Sequence, residues 1–265
     1  CKGIKLNPDY AKAYYFLSKL NYLSANKRWK HYLFSESMLN NKSEIDKVDI
    51  YFARANILHK EKNYEESSRY LKLANKLKLD IKPSMPERIF NKSQVLLIES
   101  HETEIIEKEH AKSPESIFIV GMFRSGSTLV ESILSMNSTV NALGEINILE
   151  ESFLEHKKDS QGLTLAELYW KKAKRLKNDV SKTTDKCLYN YQYTGIIANQ
   201  IPNAKIIHCF RHPLDNILSI YRAHFKRYEY SSSLVDCAKV YLDQEGLMTE
   251  YKNRFRSKIY DLNYD

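Results

Sequence analysis

"IFIVGMFRSGSTLVESIL", residues 117 to 134, changes texture twice within one short stretch. Residues 117–120, "IFIV", form a continuous apolar run of the kind that a strand buried on both faces requires. A polar, glycine-bounded loop follows, and from Ser127 onward Leu129, Val130, Ile133 and Leu134 recur at helical spacing and predict one apolar helix face. A strand that feeds such a loop into a helix converges backbone N–H groups at a positive helix end, which suits an oxyanion. "GMFRSGST", 121–128, has the glycine and hydroxyl positions of the triphosphate loop G-x-x-x-x-G-K-[ST], yet Ser127 stands where that loop carries its lysine. Arg124 supplies positive charge from another position, and Ser125, Ser127 and Thr128 add hydroxyl donors around Gly126.

The same order of elements returns at "AKIIHCFRHPLDNILSIY", 204–221. Residues 204–210 read as a second buried strand, and Pro213 opens a helix whose expected apolar face is Leu214, Ile217, Leu218 and Tyr221. Two strand, loop and helix units predict an α/β fold. A P-loop nucleoside triphosphatase places an acidic residue at the end of an apolar strand to help hold magnesium, whereas this strand ends at Arg211. Ser219, eight residues on, shares the polar stripe Asp215, Ser219, Arg222 of the following helix, so a second anion site takes the place of the metal ligand. Two anion sites on adjacent strands suggest a nucleotide phosphorylated at both its 5′ and 3′ positions. On these residues alone, a kinase-like P-loop enzyme and a non-catalytic repeat scaffold with a degenerate α/β part both stay open.

Upstream, residues 1–85 predict paired helices. In "DIYFARANILHKEKNYEESSRYLKLANKLKL", 49–79, Tyr51, Ala55 and Leu58 mark one helix, "KEKN" a turn, and Tyr64, Ser67, Leu71 and Ala74 a second. This pairing of large and small residues resembles a tetratricopeptide repeat, and "NPDYAKAYYFLSKLN", 7–21, resembles the end of an earlier repeat and the start of the next. Pro83 and Pro86 end the pattern and set a boundary. A linker helix is expected within 86–112, and the α/β domain over 113–265.

Composition bounds the rest. The 265 residues are 43% hydrophobic and 28% charged, enough for one or two packed cores. The formal charge of +8 is compatible with an anionic ligand, an acidic substrate or nucleic acid and does not choose among them. Cys1, Cys187, Cys209 and Cys237 are scattered, with no C-x-x-C pair and no His cluster at zinc spacing, so no metal site is expected. No apolar run reaches the ~18 residues of a membrane span and no signal peptide is visible, which predicts a cytoplasmic chain. A start in mid-pattern and a stop at "YDLNYD" lead us to expect a fragment at both ends.

Residues 116–265 resemble the PAPS-dependent sulfotransferases, in particular their tyrosylprotein-sulfotransferase-like and bacterial repeat-linked branch. "FRSGSTL", 123–129, is similar to that family's 5′-phosphosulfate loop, and "FRHPLDNILSIY", 210–221, to its 3′-phosphate motif. The resemblance implies a P-loop-like parallel sheet flanked by helices, and 3′-phosphoadenosine 5′-phosphosulfate (PAPS) as donor with 3′-phosphoadenosine 5′-phosphate (PAP) as product, without a metal. Carried onto these positions, it makes Arg124, Ser125, Gly126, Ser127 and Thr128 the 5′ cradle and Arg211 and Ser219 the 3′-phosphate ligands. "ALGEINIL", 142–149, matches the segment whose Glu acts as base, giving Glu145 that role, and "TTDKCLYN", 183–190, gives Lys186 the stabilisation of the leaving group. A general base and a cation on opposite sides of the transferred group suit sulfuryl transfer. The expected partners are a hydroxyl-bearing acceptor and a protein at the repeats, with no nucleic acid. "INILEE", 146–151, lacks the nearby Arg that would receive an acidic peptide, which leaves carbohydrate and small-molecule hydroxyls open beside protein tyrosine.

Overall fold

The computed structural model describes residues 2–20, 27–103, 113–158, 162–226 and 229–265. The chain forms two compact units, Cys1–Met85 with Tyr221–Cys237, and Pro86–Ile220 with Ala238–Asp265.

The first unit is helical: α1 (Lys2–Leu6), α2 (Ala11–Lys19), α3 (Lys27–Phe34), α4 (Glu44–Lys60) and α5 (Tyr64–Ile81). Local chemistry sets the ends of the last two. Ser43 accepts the Asp46 N–H at 3.1 Å, and Asn63 accepts the Glu66 N–H at 3.3 Å, so each supplies an N-cap. Ala55, Ser67, Leu71 and Ala74 lie in the core as their spacing predicts, while Tyr51 and Leu58 are half-buried and Tyr64 is exposed. Phe52 and Ile57, one position away from Tyr51 and Leu58, take the fully buried places on α4. A later segment completes this unit. The Asn75 amide donates to the Tyr221 carbonyl at 3.1 Å, Lys78 donates to the Phe225 carbonyl at 2.9 Å, and the His224 ring stacks on Phe52 with centroids 4.6 Å apart. His224 Nε2 also lies 2.9 Å from the buried Asp49 carboxylate. Residues 221–226 thus occupy side chains of α4 and α5, a pairing across some 150 positions that helical periodicity does not register.

The second unit carries α6 (Glu87–Glu102), β1 (Glu115–Gly121), α7 (Ser127–Leu134), β2 (Asn141–Ala142), α8 (Ile148–Lys158), α9 (Leu165–Leu176), β3 (Lys182–Asp185), α10 (Thr194–Gln200), β4 (Ala204–Phe210), α11 (Pro213–Tyr221), α12 (Leu234–Phe255) and β5 (Ile259–Asn263). The last residue of α11 and the first turn of α12 fall in the helical unit. The strands form one five-stranded sheet in the order β2-β3-β1-β4-β5, and every pairing is parallel. Helices cover it as the α/β reading expects. On one face Phe118 and Val120 of β1 join Leu96 of α6, Tyr169 of α9, Ile197 of α10 and Met248 of α12. On the other, Ile119 and Cys209 pack with Val130 of α7. The expected linker helix is α6, which packs into this core; positions 104–112 lie outside the described residues. No helix among the described residues is long and apolar enough to cross a membrane.

Two helix faces differ from their sequence expectation. Leu129 and Ile133 of α7 are exposed at 53% and 57%, and the buried positions are Ser127, Val130 and Glu131. Leu214 and Leu218 of α11 are likewise exposed, and Asn216 and Ile220 are buried instead. In both helices a polar side chain turns inward onto its hydrogen-bond partners, and part of the expected apolar stripe is left exposed.

The end of β1 is set by contact. Gly121 adopts φ 134°, and a Cβ there would come 2.2 Å from the Cys209 carbonyl oxygen of β4. Only glycine fits both the dihedral and the space. We expect Gly121→Ala to cost at least about 2 kcal/mol, from backbone strain and overpacking together, measured by urea denaturation; an unchanged midpoint would show that β1 and β4 can separate freely at this end.

Candidate anion-binding and transfer site

Because the five strands are parallel, their C-terminal ends share one edge of the sheet, the edge at which open α/β sheets bind ligands. β1 runs into the loop 122–126, β2 leads to Glu145, β3 is followed by Lys186, β4 by Arg211, and β5 by Tyr264 and Asp265. Residues far apart in sequence therefore emerge at one edge. The order of the strands does this, not their order in the chain.

The loop is built on two left-handed residues, Arg124 at φ 70° and Gly126 at φ 88°. Non-glycine residues adopt that region at a cost of about 1–3 kcal/mol, so Arg124 is held there by its surroundings. Asn216 of α11 donates its amide to the Phe123 carbonyl at 2.9 Å, and Arg124 Nε donates to Ser219 Oγ at 3.1 Å. Within the loop the Ser125 N–H reaches the Met122 carbonyl, and backbone bonding resumes with Leu129 N–H on Gly126. The amides at the start of α7 have no intrahelical acceptor, as at any helix N-terminus, and they open beside Ser127 and Thr128. Ser125 Oγ is fully buried without a hydrogen-bond partner. That orphaned hydroxyl and the open amides suit an incoming oxyanion.

At the end of β4, Arg211 donates from Nε to Asp265 Oδ1 at 3.0 Å, and the His212 N–H donates to Asp265 Oδ2 at 2.6 Å. The His212 N–H, followed by Arg211, holds the Asp265 carboxyl below its usual range. An anionic group already rests on Arg211, the cation to which sequence assigned a phosphate. The Arg211 guanidinium lies over the Tyr264 ring, 5.4 Å from its centroid, and a Cβ on Gly126 would come 2.0 Å from the same ring. Tyr264 therefore bridges the loop and Arg211. Arg124 and Ser219, expected in separate anion sites, are joined directly.

Glu145 and Lys186 meet as an ion pair, Nζ to Oε1 at 2.5 Å, with the lysine side chain 6% exposed and the glutamate 61%. Backbone pairing dictates the meeting: the Leu143 N–H bonds the Thr184 carbonyl at 2.9 Å, and the Lys186 N–H bonds the Gly144 carbonyl at 3.0 Å. Beside Lys186, Asp185 accepts from the Cys187 N–H at 3.0 Å, the Asn190 amide at 3.0 Å and the Tyr169 hydroxyl at 3.2 Å. Burial nevertheless pushes its carboxyl up to about 7, outweighing those donors. The thiols of Cys187, Cys209 and Cys237 are free, and burial pushes each up to about 12, so none is poised as a nucleophile at neutral pH.

Sequence named the loop, Glu145, Lys186, Arg211 and Ser219 but not Glu131, Asn216, Tyr264, Asp265 or the Asp185 cluster. Glu131 and Asn216 lie off the apolar faces that periodicity predicted, so the sequence carried no signal for them. The others depend on strands β3 and β5, whose polar composition concealed them. His208, expected to be a strand residue, is fully buried in β4 with Nδ1 3.2 Å from Asp261.

The parallel sheet gathers a glycine-bounded loop, two further cations and a carboxylate at the C-terminal edge of an α/β fold. The chain belongs to the sulfotransferase family, whose model matches residues 114–164 and 154–265. A relative from Aquifex aeolicus (strain VF5), described as an uncharacterized protein, is 28% identical over 243 residues, covering 80% of this chain and 31% of its own length. The chain thus spans about a third of that relative.

Asp185 makes the site's stability pH-dependent in a defined sense. Its folded carboxyl binds a proton that the unfolded chain, near 3.8, has released, so this contribution is present below about pH 4 and is lost as pH rises toward about 7. The loss is at most about 1.4 kcal/mol per pH unit. Asp185→Asn keeps a neutral group in place and should flatten that slope; urea unfolding of both proteins from pH 4 to 8 should show the variant gaining on wild type, whereas parallel curves would place the ionisation elsewhere.

Proposed function

We propose that this chain transfers the sulfuryl group of PAPS to a hydroxyl acceptor. The observation that carries the reading is the Glu145–Lys186 pair at the same sheet edge as a lysine-free oxyanion loop. A triphosphate enzyme would place its lysine in the loop and an acidic magnesium ligand at a strand end; here the lysine comes from the end of β3, and β4 ends in Arg211.

The donor supplies an activated sulfuryl group whose leaving oxygen gathers negative charge. Open amides at the start of α7, with the Ser125, Ser127 and Thr128 hydroxyls and Arg124, hold its 5′ end. Arg211 and Ser219 hold the 3′-phosphate, which competes with the Asp265 carboxylate for Arg211 and the His212 N–H. Glu145, the more exposed partner of its pair, leaves Lys186 as the sulfuryl group comes between them and takes the acceptor's proton as general base. Lys186, buried and close to fixed by its backbone bond to Gly144, neutralises charge on the leaving oxygen. The acceptor class spans tyrosine, carbohydrate and small hydroxyl compounds, with no Arg beside Glu145 in "INILEE" to favour an acidic peptide. The helical unit, read as tetratricopeptide-like, recruits or positions a protein partner through faces other than those of α4 and α5 that hold residues 221–226.

Calorimetric titration of PAP and ATP into the protein, with and without EDTA, tests the donor. PAP should bind more tightly, unaffected by chelation, and Arg211→Ala should weaken it about 10- to 100-fold through loss of a charge-assisted contact. Preference for ATP that depends on Mg²⁺ would favour the kinase-like enzyme instead. Glu145→Gln should lower sulfuryl transfer about 10²- to 10⁴-fold while PAP affinity holds; full activity in that variant would remove Glu145 from the chemistry, and no transfer by the wild-type protein would favour the scaffold reading.

A further inference from the structure

We propose that Glu131 is a positioning residue that fixes Glu145 and Lys186 to the helix carrying the anion loop. The inference rests on the sulfuryl-transfer reading for the roles of those two residues. Glu131 lies one turn into α7, the helix whose first residues, Ser127 and Thr128, form part of the cradle. Its side chain is turned inward, 9% exposed, on the face that Val130 shares and that Leu129 and Ile133 do not. A single oxygen, Oε1, accepts both the Gly144 N–H at 3.1 Å and the Thr184 hydroxyl at 3.0 Å.

Those two donors are the residues that set the reacting groups. Gly144 directly precedes Glu145, stands at φ 77°, and passes its carbonyl to the Lys186 N–H. Thr184 lies two residues before Lys186 and gives its carbonyl to the Leu143 N–H. One carboxylate oxygen thereby closes a circuit through the donor helix, the segment bearing the base and the strand bearing the lysine. Burying a carboxylate on two uncharged donors is a poor way to stabilise a helix on a sheet, and a well-packed apolar side chain would do that better. Among the described residues Glu131 forms no ion pair that would offset its burial. What the carboxylate does provide is direction: it fixes the height of Gly144 and Thr184 relative to the first turn of α7. Displacement of reacting groups by about 1 Å can cost about 10²-fold in rate, so a hub of this kind matters for turnover even where binding is untouched.

The test compares Glu131→Met, which removes the acceptor at similar volume, with Glu131→Gln, whose Oε1 still accepts both bonds. Turnover is read in the full-length protein as PAP released from PAPS with p-nitrophenol as probe hydroxyl, and PAP affinity is read by calorimetry. Glu131→Met should lower kcat about 10²-fold with the KM for PAPS and the PAP affinity unchanged, and Glu131→Gln should recover most of the loss. Equal loss in both variants, or a loss that appears in PAP affinity rather than kcat, overturns the inference. Should Glu131→Met fail to fold, Thr184→Val deletes one of the two bonds alone; wild-type turnover there also overturns it. A crystal structure of Glu131→Met with Gly144 and Lys186 unmoved does so without any acceptor. Glu145→Gln, run alongside, separates the two ideas: if it turns over like wild type the sulfuryl-transfer roles fail, and if it collapses while Glu131→Met does not, only the positioning role fails.

Discussion

Parallel pairing of β1 with β3 on one side and β4 on the other is the constraint from which the rest of the site follows. Strands that run the same way end at the same edge, so whatever residue follows each strand is delivered to a common place. The loop follows β1, Lys186 follows β3 and Arg211 follows β4. The pairing itself depends on buried contact on both faces of β1, with Phe118 and Val120 on one and Ile119 on the other. At its end, the approach of Gly121 to Cys209 draws β1 and β4 together where the loop begins.

This arrangement changes how the missing loop lysine is understood. A lysine within the loop is one way to put positive charge beside an anion; a neighbouring strand end is another. Lys186 is buried at such an end, and its partner Glu145 arrives on the adjacent short strand segment through backbone bonds at Leu143 and Gly144. Arg124 is spent differently: its Nε holds Ser219, so the loop and α11 are braced against each other. With Asn216 on the Phe123 carbonyl and the Tyr264 ring against Gly126, the loop is fixed from α11 and from the end of β5. Contacts from two separate elements thus order the loop in one conformation. The membership of the sulfotransferase family accords with that logic, because sulfuryl transfer needs stabilised charge at the leaving oxygen and a base at the acceptor.

Much of the architecture was legible where a residue's neighbours in sequence are also its neighbours in space. The strand in 117–120, the loop, the start of α7, the strand over 204–210 and the helix opened by Pro213 were each visible, because apolar runs, glycines and proline act locally. Helices α2, α4 and α5 of the first unit were visible for the same reason. β2, β3 and β5 were not, since two-residue "NA", polar "KTTD" and mixed "IYDLN" show no run or alternation and become strands only by pairing with β1 and β4. The faces of α7 and α11 were read from apolar periodicity, which cannot anticipate that Glu131 and Asn216 turn inward toward hydrogen-bond partners 13 and 93 residues away.

The sequence by itself determined the α/β character of the C-terminal part, a glycine-bounded loop with its hydroxyls and displaced positive charge, and the identity of the residues proposed for the chemistry. These are properties of short stretches, fixed by period, by backbone freedom at glycine and by side-chain type. Tertiary structure alone decided that Glu145 meets Lys186, that Arg124 reaches Ser219, that Asp265 rests on Arg211, and that residues 221–226 complete the helical unit. Each of those meetings joins positions 41 or more residues apart. Strand order brings such pairs together through burial of apolar area over the whole sheet, a global balance that no local stretch encodes.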